Sequence, residues 1–293
     1  MGILRAIMIG DVVGEPGLKL LEERLPLLIK ENSAGLVVAN GENAAGGFGL
    51  TAPLLERFFR AGVDVVSGGN HIWEKREFWP VLDSEQRVLR PMNYPDNGEG
   101  GKSVGRGWVK LEKTPLEKSS ENSPPLSCFV VNLQGREFMP PLDCPFRSFD
   151  AFEKALGIEK ALGDGLDGDA QGEKTSPPII LVDFHAESTR EKEALGYYLD
   201  GRASIVAGTH THVQSADERI LPKGTAYISD LGMTGVLDGI IGMDPKICID
   251  RARNQVLYRM EAAAPVEGGK RAVQGIIAEI DGESGKALLI KRI

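Results

Sequence analysis

Short apolar runs recur along the chain, and most of them end at a glycine or a polar side chain. Runs of this length and composition are typical of strands that are buried in a sheet. They lie at residues 4–9, 36–39, 63–67, 179–184, 203–207 and 225–229. After the first run, leucines at positions 18, 21, 25 and 28 recur at helical spacing, and Pro26 predicts that this helix kinks or ends there. Strands that alternate with helices predict an α/β fold in which helices cover the sheet layers.

Local signals predict further elements. Thr51 is a candidate N-cap for the next helix, which has Pro53 in its first turn. Ser188 and Glu191 form the sequence pattern of a capping box, ahead of a helix that reaches residue 199. Residues 108–111 and 128–133 predict two paired strands, and residues 273–293 predict a closing hairpin with Asp281 in its turn.

Two polar stretches interrupt this pattern, at residues 112–127 and 157–178. The first is rich in Lys, Glu, Ser and Pro, and the second in Gly and Asp, so neither has much apolar surface to bury. We expect both to be peripheral insertions without chemistry of their own. Because no linker separates two cores, residues 1–293 are predicted to form a single domain.

The composition excludes several classes of protein. The 293 residues are 42% hydrophobic, and the net charge of −8 without a long basic run predicts no stable binding of nucleic acid. The three cysteines form no Cys-x-x-Cys pair and indicate a reducing compartment. The first apolar run ends before Asp11, and it is too short for a signal peptide or a membrane span. We therefore expect a cytoplasmic protein that does not bind membranes.

The polar residues that follow the strands carry the candidate chemistry. In α/β folds such residues converge at the carboxyl ends of the strands, where binding sites form. The candidates in chain order are Asp11, Glu42, Asn43, Asn70, His71, His185, His210 and His212. They include all four histidines of the chain.

The stretch GTHTH at residues 208–212 is the centre of this set. Residues two apart in an extended strand face the same side, so the imidazoles of His210 and His212 are expected to point together. Such a pair can bind one metal ion or two adjacent ions. Carboxylate, carboxamide and imidazole ligands suit manganese, iron or zinc. The set is too large for one open catalytic ion, and two ions bridged by a carboxylate could clamp both oxygens of a phosphoryl transfer.

These motifs resemble those of a known family. GD at residues 10–11, GNH at 69–71 and GTHTH at 208–212 resemble the calcineurin-like metallophosphoesterases. GENAAGG at 41–47, DFHAE at 183–187 and GTAY at 224–227 resemble more narrowly the YmdB-like branch of that superfamily. The resemblance covers nearly the whole chain apart from the two polar stretches.

The resemblance implies a four-layer αββα sandwich with a two-metal centre. The implied ligands are Asp11, Asn43 and His212 for one metal and Asn70, His185 and His210 for the other, with Glu42 as the bridge. The superfamily usually has a histidine where this chain has Val13, and an aspartate as the bridge. The YmdB-like branch shares both departures, and the carboxamide of Asn43 would fill the vacant ligand position.

The implied activity is that of a dimetal-dependent phosphodiesterase. Its substrates would be small phosphodiesters, notably cyclic nucleotides of the 2′,3′-cyclic AMP type, cleaved by metal-hydroxide attack with His71 as the general acid. The implied cofactors are two divalent or trivalent ions, iron or manganese first, with zinc or magnesium as alternatives. The branch also implies a homo-oligomer. The alternatives are a phosphomonoesterase or nucleotidase, and a metal-containing regulatory module that turns over little.

Simpler roles are open for some of these residues. Asp11 could cap the helix that follows it, and His71 could be a structural histidine beside Trp73. The nearby acids Asp183, Glu187 and Asp230 are expected to support the metal ligands or to cap helices.

Overall fold

The computed structural model describes residues 2–95, 103–116, 125–157 and 177–293. The middle of each polar stretch, at residues 117–124 and 158–176, lies outside the described residues. In chain order the strands are β1 (Ile3–Ile9), β2 (Asp11–Val12), β3 (Leu36–Asn40), β4 (Val65–Ser67), β5 (Trp108–Lys113), β6 (Leu126–Gln134), β7 (Ile179–His185), β8 (Ile205–Thr209), β9 (Arg219–Ile220), β10 (Ala226–Ile228), β11 (Met233–Val236), β12 (Arg271–Ala272), β13 (Gly275–Asp281) and β14 (Ala287–Arg292).

The helices of the described ranges are α1 (Gly14–Asn32), α2 (Ala52–Ala61), α3 (Trp79–Ser84), α4 (Pro145–Leu156), α5 (Thr189–Tyr198) and α6 (Pro245–Asn254). A short 3₁₀ turn, Arg76–Phe78, leads into α3. In these ranges every helix is too short or too polar to span a bilayer.

Two large sheets carry the strands that end at the candidate residues. The first has the order β14-β13-β1-β3-β4, with β1, β3 and β4 parallel. Its antiparallel edge is the hairpin of β13 and β14, which confirms the predicted closing hairpin. The second has the order β5-β6-β7-β8-β10-β9, with the four central strands parallel. The predicted pairing of β5 with β6 is confirmed.

The core divides into layers because alternate residues of a strand face opposite sides of the sheet. In β1, Leu4 and Met8 face the second sheet, and their cluster includes Leu181 of β7. Ile7 of the same strand packs instead with α1 and α2. On the far side of the second sheet, a third cluster includes Phe149 of α4 and residues of α5. The order helix, sheet, sheet, helix is the four-layer αββα sandwich expected from the sequence.

A third, small sheet extends the first toward the candidate site. It has the order β12-β11-β2, and Asp11 of β2 pairs with Met233 of β11 in parallel register. This pairing holds Asp11 between the carboxyl end of β1 and the segment that follows β10.

Two sequence predictions need correction. Helix α1 continues through Pro26 to Asn32, because Leu21 and Leu25 are fully buried while Pro26 faces solvent, where the carbonyl it frees can be hydrated. The first polar stretch is shorter than 112–127, since β5 runs to Lys113 and β6 begins at residue 126. Lys113 is held in place by an ion pair of 2.6 Å with Asp64.

Candidate metal centre

The polar residues at the strand ends meet at one edge of the sandwich. Six of the seven predicted metal ligands have a side-chain nitrogen or oxygen within 4.0 Å of another member, namely Asp11, Glu42, Asn70, His185, His210 and His212. The seventh, Asn43, follows Glu42, and its carbonyl accepts a hydrogen bond of 2.9 Å from Gly14, close in sequence to Asp11. All seven are buried except Asn70 and His210, which are half-buried.

Nε2 of His185 is close to a candidate ligand atom from each of three other residues. It lies 2.9 Å from Oε1 of Glu42, 3.1 Å from Oδ1 of Asn70 and 3.0 Å from Nδ1 of His210. Carboxylate and carboxamide oxygens only accept hydrogen bonds, so these atoms cannot satisfy one another without a proton or a cation between them. The ligand atoms of Glu42, His185 and His210 all lie within 4.8 Å of one another, a spacing that one metal ion could serve.

The other nitrogen of His185 is fixed by a chain of buried hydrogen bonds. The Thr209 hydroxyl donates to Oδ1 of Asp183 at 2.7 Å, so it accepts from Nδ1–H of His185 at 3.0 Å. Asp183 also accepts from the Ser67 hydroxyl and from Nδ2 of Asn40. This network sets the tautomer of His185 and directs a lone pair on Nε2 into the site.

His210 and His212 are oriented in the same way. Oε2 of Glu187 lies 3.2 Å from Nε2 of His210, which leaves Nδ1 of that ring to face His185. The carbonyl of Ile241 accepts from Nδ1–H of His212 at 2.9 Å, which leaves Nε2 of His212 3.7 Å from Oδ1 of Asp11. Metal-binding histidines typically have one ring nitrogen held by an acceptor in this manner.

Two buried oxygens of the site have no hydrogen-bond partner among the described residues, Oδ1 of Asp11 and Oδ1 of Asn43. Nδ2 of Asn43 donates to the carbonyl of Gly47 at 2.9 Å, which fixes the carboxamide with its oxygen unpaired. A buried acceptor without a donor costs about 1–3 kcal/mol. A cation held by these oxygens and by Nε2 of His212 would offset that cost.

Burial and neighbouring charges shift the pKa values of several groups in the site. Although burial opposes its ionisation, the adjacent His185 lowers the pKa of Glu42 to about 2. Burial likewise opposes the charge on His185, and Glu42 nevertheless raises the pKa of His185 to about 9. Burial together with His185 lowers the pKa of His210 to about 3, and burial raises the pKa of Asp11. Glu42 and His185 therefore stabilise each other's charged form at the position that a metal ion would take.

The residues fit a metal centre by this chemistry. Imidazole nitrogens, carboxylates and carboxamide oxygens converge, the two unpaired oxygens lie among them, and thiolates do not take part. Six of the seven predicted ligands thus lie close together, and Asn43 directly follows one of them.

The backbone conformation that brings His210 and His212 together differs from the predicted extended strand. Strand β8 ends at Thr209, and His210 and His212 have φ angles of 99° and 62°, so neither lies in extended backbone. Positive φ is strained for residues other than glycine, so neighbouring groups must hold the turn. Asp11 accepts from the His210 amide at 3.1 Å, and Asp230 accepts from the Thr211 amide at 3.2 Å.

His71 lies at the rim of the site. Its amide donates to Oε2 of Glu42 at 2.9 Å, and its ring meets the ring of Phe48 edge to face with centroids 4.8 Å apart. The side chain is 25% exposed, and Nδ1 lies 3.4 Å from Oε1 of Glu74. The imidazole is thus next to the buried ligands and accessible from solvent.

The structure also assigns supporting contacts. The helix-cap alternative for Asp11 is wrong, because the N-cap of α1 is Val13 and no side chain caps that helix. Asn40 and Ser67, which sequence reasoning missed, support Asp183, and their signal was a polar residue at the end of an apolar strand. The Ile241 carbonyl has no comparable signal, because any residue type supplies that group.

Comparison with known proteins gives consistent matches. A 2′,3′-cyclic-nucleotide 2′-phosphodiesterase of Bacillus subtilis (strain 168) is 42% identical over 99% of this chain and 96% of its own length. A putative phosphatase/phosphodiesterase of Mycoplasma genitalium is 32% identical over 84% of this chain and 78% of its own.

Two solved structures share the fold. The crystal structure of a hypothetical protein from Thermus thermophilus has a TM-score of 0.78 at 38% identity and covers 99% of this chain and 98% of its own. That of a novel phosphatase from Mycoplasma pneumoniae has a TM-score of 0.81 at 29% identity and covers 100% and 93%. The model of the YmdB-like protein family matches residues 7–293. The chain therefore belongs to the YmdB-like family.

Proposed function

We propose that this phosphoric ester hydrolase is a metal-dependent phosphodiesterase that acts on 2′,3′-cyclic nucleotides. The observation that carries the proposal is the orientation of three histidines, each with one ring nitrogen held by an acceptor and the other directed at another candidate ligand. The Bacillus subtilis relative is named for this activity. In a protein that binds no metal, these hydrogen bonds would orient ring nitrogens that have no ligand to bind.

Two ions suit the donor set. One would be held by Asn70, His185 and His210, the other by Asp11, Asn43 and His212, and Glu42 would bridge them. Bound there, the ions would supply positive charge to the phosphoryl oxygens and lower the pKa of the attacking water. Iron or manganese suits these ligands first, and zinc or magnesium are alternatives.

The reaction adds water across the bond between phosphorus and the 2′ oxygen of the ribose. The hydroxyl joins phosphorus, the proton goes to the 2′ oxygen, and the product is a nucleoside 3′-phosphate. We assign the proton donation to His71, which lies next to Glu42 and is reachable from solvent. Glu74 can hold Nδ1–H of His71, so that Nε2 faces the leaving oxygen.

The test is hydrolysis of 2′,3′-cyclic AMP by purified protein, first stripped with a chelator and then reloaded with manganese or iron. We expect 3′-AMP to form only after reloading, at a rate that follows the metal content. Adenosine monophosphates and a linear phosphodiester are assayed in parallel. Preferred release of inorganic phosphate from monoesters would favour a nucleotidase, and tight binding without turnover would favour the regulatory module.

A further inference from the structure

A cavity of about 420 Å³ opens next to the metal centre on the side of His71. One of its walls is Phe48, whose ring contacts the ring of His71 with centroids 4.8 Å apart. The lining also includes residues of α6 and of the segment after it, among them Arg251, Tyr258 and Arg259. Cavities that bind small molecules are of this size or larger.

Three cationic side chains line the cavity, Lys75, Arg251 and Arg259, against one acid, Glu261. None of the three makes an ion pair or side-chain hydrogen bond with another residue of the described ranges, whereas other arginines, such as Arg57, Arg202 and Arg219, do. The protein as a whole carries a net charge of −8. An unpaired cationic cluster in an acidic protein is the expected surrounding of an anionic ligand.

The remaining walls suit a nucleoside. Phe48 is half-buried, and Tyr258 is 40% exposed, so both rings are accessible to a ligand in the cavity. Aromatic rings of this kind stack on nucleobases, and arginine guanidinium groups bind phosphate through two parallel hydrogen bonds.

This cavity lies where the part of the substrate beyond the cyclic phosphate would bind. Under the proposed function, on which this inference rests, His71 donates a proton to the 2′ oxygen, so the ribose lies on the His71 side of the metals. A 2′,3′-cyclic mononucleotide carries a single phosphate, which the metal centre binds. It leaves no anionic group for Lys75, Arg251 and Arg259.

We propose that the substrate carries a second phosphate on its 5′ oxygen and that this phosphate binds in the cavity at Arg251 and Arg259. The corresponding natural class is a short oligoribonucleotide whose 3′ end is a 2′,3′-cyclic phosphate. A mononucleotide with both a 5′-phosphate and a 2′,3′-cyclic phosphate has the same chemistry.

The test compares three substrates with the metal-loaded enzyme: 2′,3′-cyclic AMP, its 5′-phosphorylated form, and a diadenosine ending in a 2′,3′-cyclic phosphate. We expect kcat/KM to rise by about tenfold or more for one or both two-phosphate substrates, the effect of a charge-assisted hydrogen bond. The larger gain in kcat/KM, for the 5′-phosphorylated mononucleotide or for the diadenosine, identifies the source of the second phosphate. The gain should shrink as salt is raised.

Variants then assign the gain to the cavity. Arg251→Ala combined with Arg259→Ala should bring the ratio of kcat/KM between two-phosphate and one-phosphate substrates close to one. The matched control is Arg253→Ala, on the same helix but outside the cavity lining, which should keep the wild-type ratio. Because α6 contributes no buried residue and Arg259 is exposed, these changes leave the core intact, and thermal unfolding checks this. Charge reversal in Arg259→Glu should lower the ratio below one.

The outcomes separate this inference from the proposed function. Hydrolysis of 2′,3′-cyclic AMP with equal kcat/KM for all three substrates would overturn the second-phosphate site and leave the phosphodiesterase standing. A gain that survives in the double variant would also overturn it. Failure to hydrolyse any of the three would instead contradict the proposed function.

Discussion

Asp230 links the stability of the sandwich to the geometry of the proposed metal ligands. Its carboxylate accepts from Lys192 Nζ at 2.7 Å, from the Thr211 hydroxyl at 2.6 Å and from the Gly232 amide at 2.8 Å. The side chains of Lys192 and Asp230 are only 3% and 4% exposed. Thr211 lies between His210 and His212, so this pair anchors the turn that carries two of the proposed metal ligands.

Asp230→Ala would leave a buried ammonium without a counter-charge. Removing one partner of a buried ion pair costs about 3–5 kcal/mol, more than the attraction itself is worth, because the remaining charge stays desolvated. Lys192→Met should cost less, since Thr211 and Gly232 still donate to Asp230. The double variant should recover part of the loss of Asp230→Ala, because it no longer contains the stranded ammonium.

The assay is urea unfolding of the chelator-treated protein, followed by circular dichroism, so that metal binding does not add to the measured stability. Manganese titration of the same variants should show weaker binding in Asp230→Ala, because the Thr211 turn loses its anchor. A loss below about 1 kcal/mol, the range of an exposed pair, would refute this reasoning. So would an equal loss in the two single variants.

Three further changes test individual residues of the site. Glu42→Ala should empty both metal positions, because two cations at close range repel each other without a bridging carboxylate, and two ions per chain by elemental analysis would contradict the bridge. His71→Ala should keep its metals and lose about 10²–10⁴-fold in kcat on 2′,3′-cyclic AMP but much less on a nitrophenyl phosphodiester, whose leaving group needs no proton, so an equal loss on both would argue against an acid role. Glu187→Ala should weaken metal binding about 10–100-fold by freeing the ring of His210, whereas Glu193→Ala, which removes only a surface ion pair with Arg219, should bind metal as the wild type does.

Much of the sandwich follows from the sequence because its central strands are short apolar runs that are buried on both faces. The end of β1 illustrates the rule: Ile7 and Ile9 face the helices, Met8 faces the second sheet, and the polar Asp11 comes next. Helix continuity at Pro26 could not be predicted in this way. It depends on which side of α1 faces solvent, and only the packing of Leu21 and Leu25 determines that.

The same limit applies within the metal centre. Asp11, Glu42 and His185 are recognisable because they lie at or just after the carboxyl ends of buried strands, where binding sites of α/β folds form. The convergence of His210 and His212 is not a property of strand alternation, since both residues have positive φ. It depends on hydrogen bonds from distant segments, which local sequence patterns do not encode.

The central claim is that the buried oxygens and imidazoles hold metal ions that make this protein a phosphodiesterase. The most direct measurement is the metal content of the purified protein, determined by elemental analysis alongside its rate of 2′,3′-cyclic AMP hydrolysis as metal is removed and restored. The proposed site predicts two ions per chain when activity is full, and loss and recovery of activity in step with that number. Full activity in protein stripped of metal, or no activity in protein that holds two ions, would contradict it.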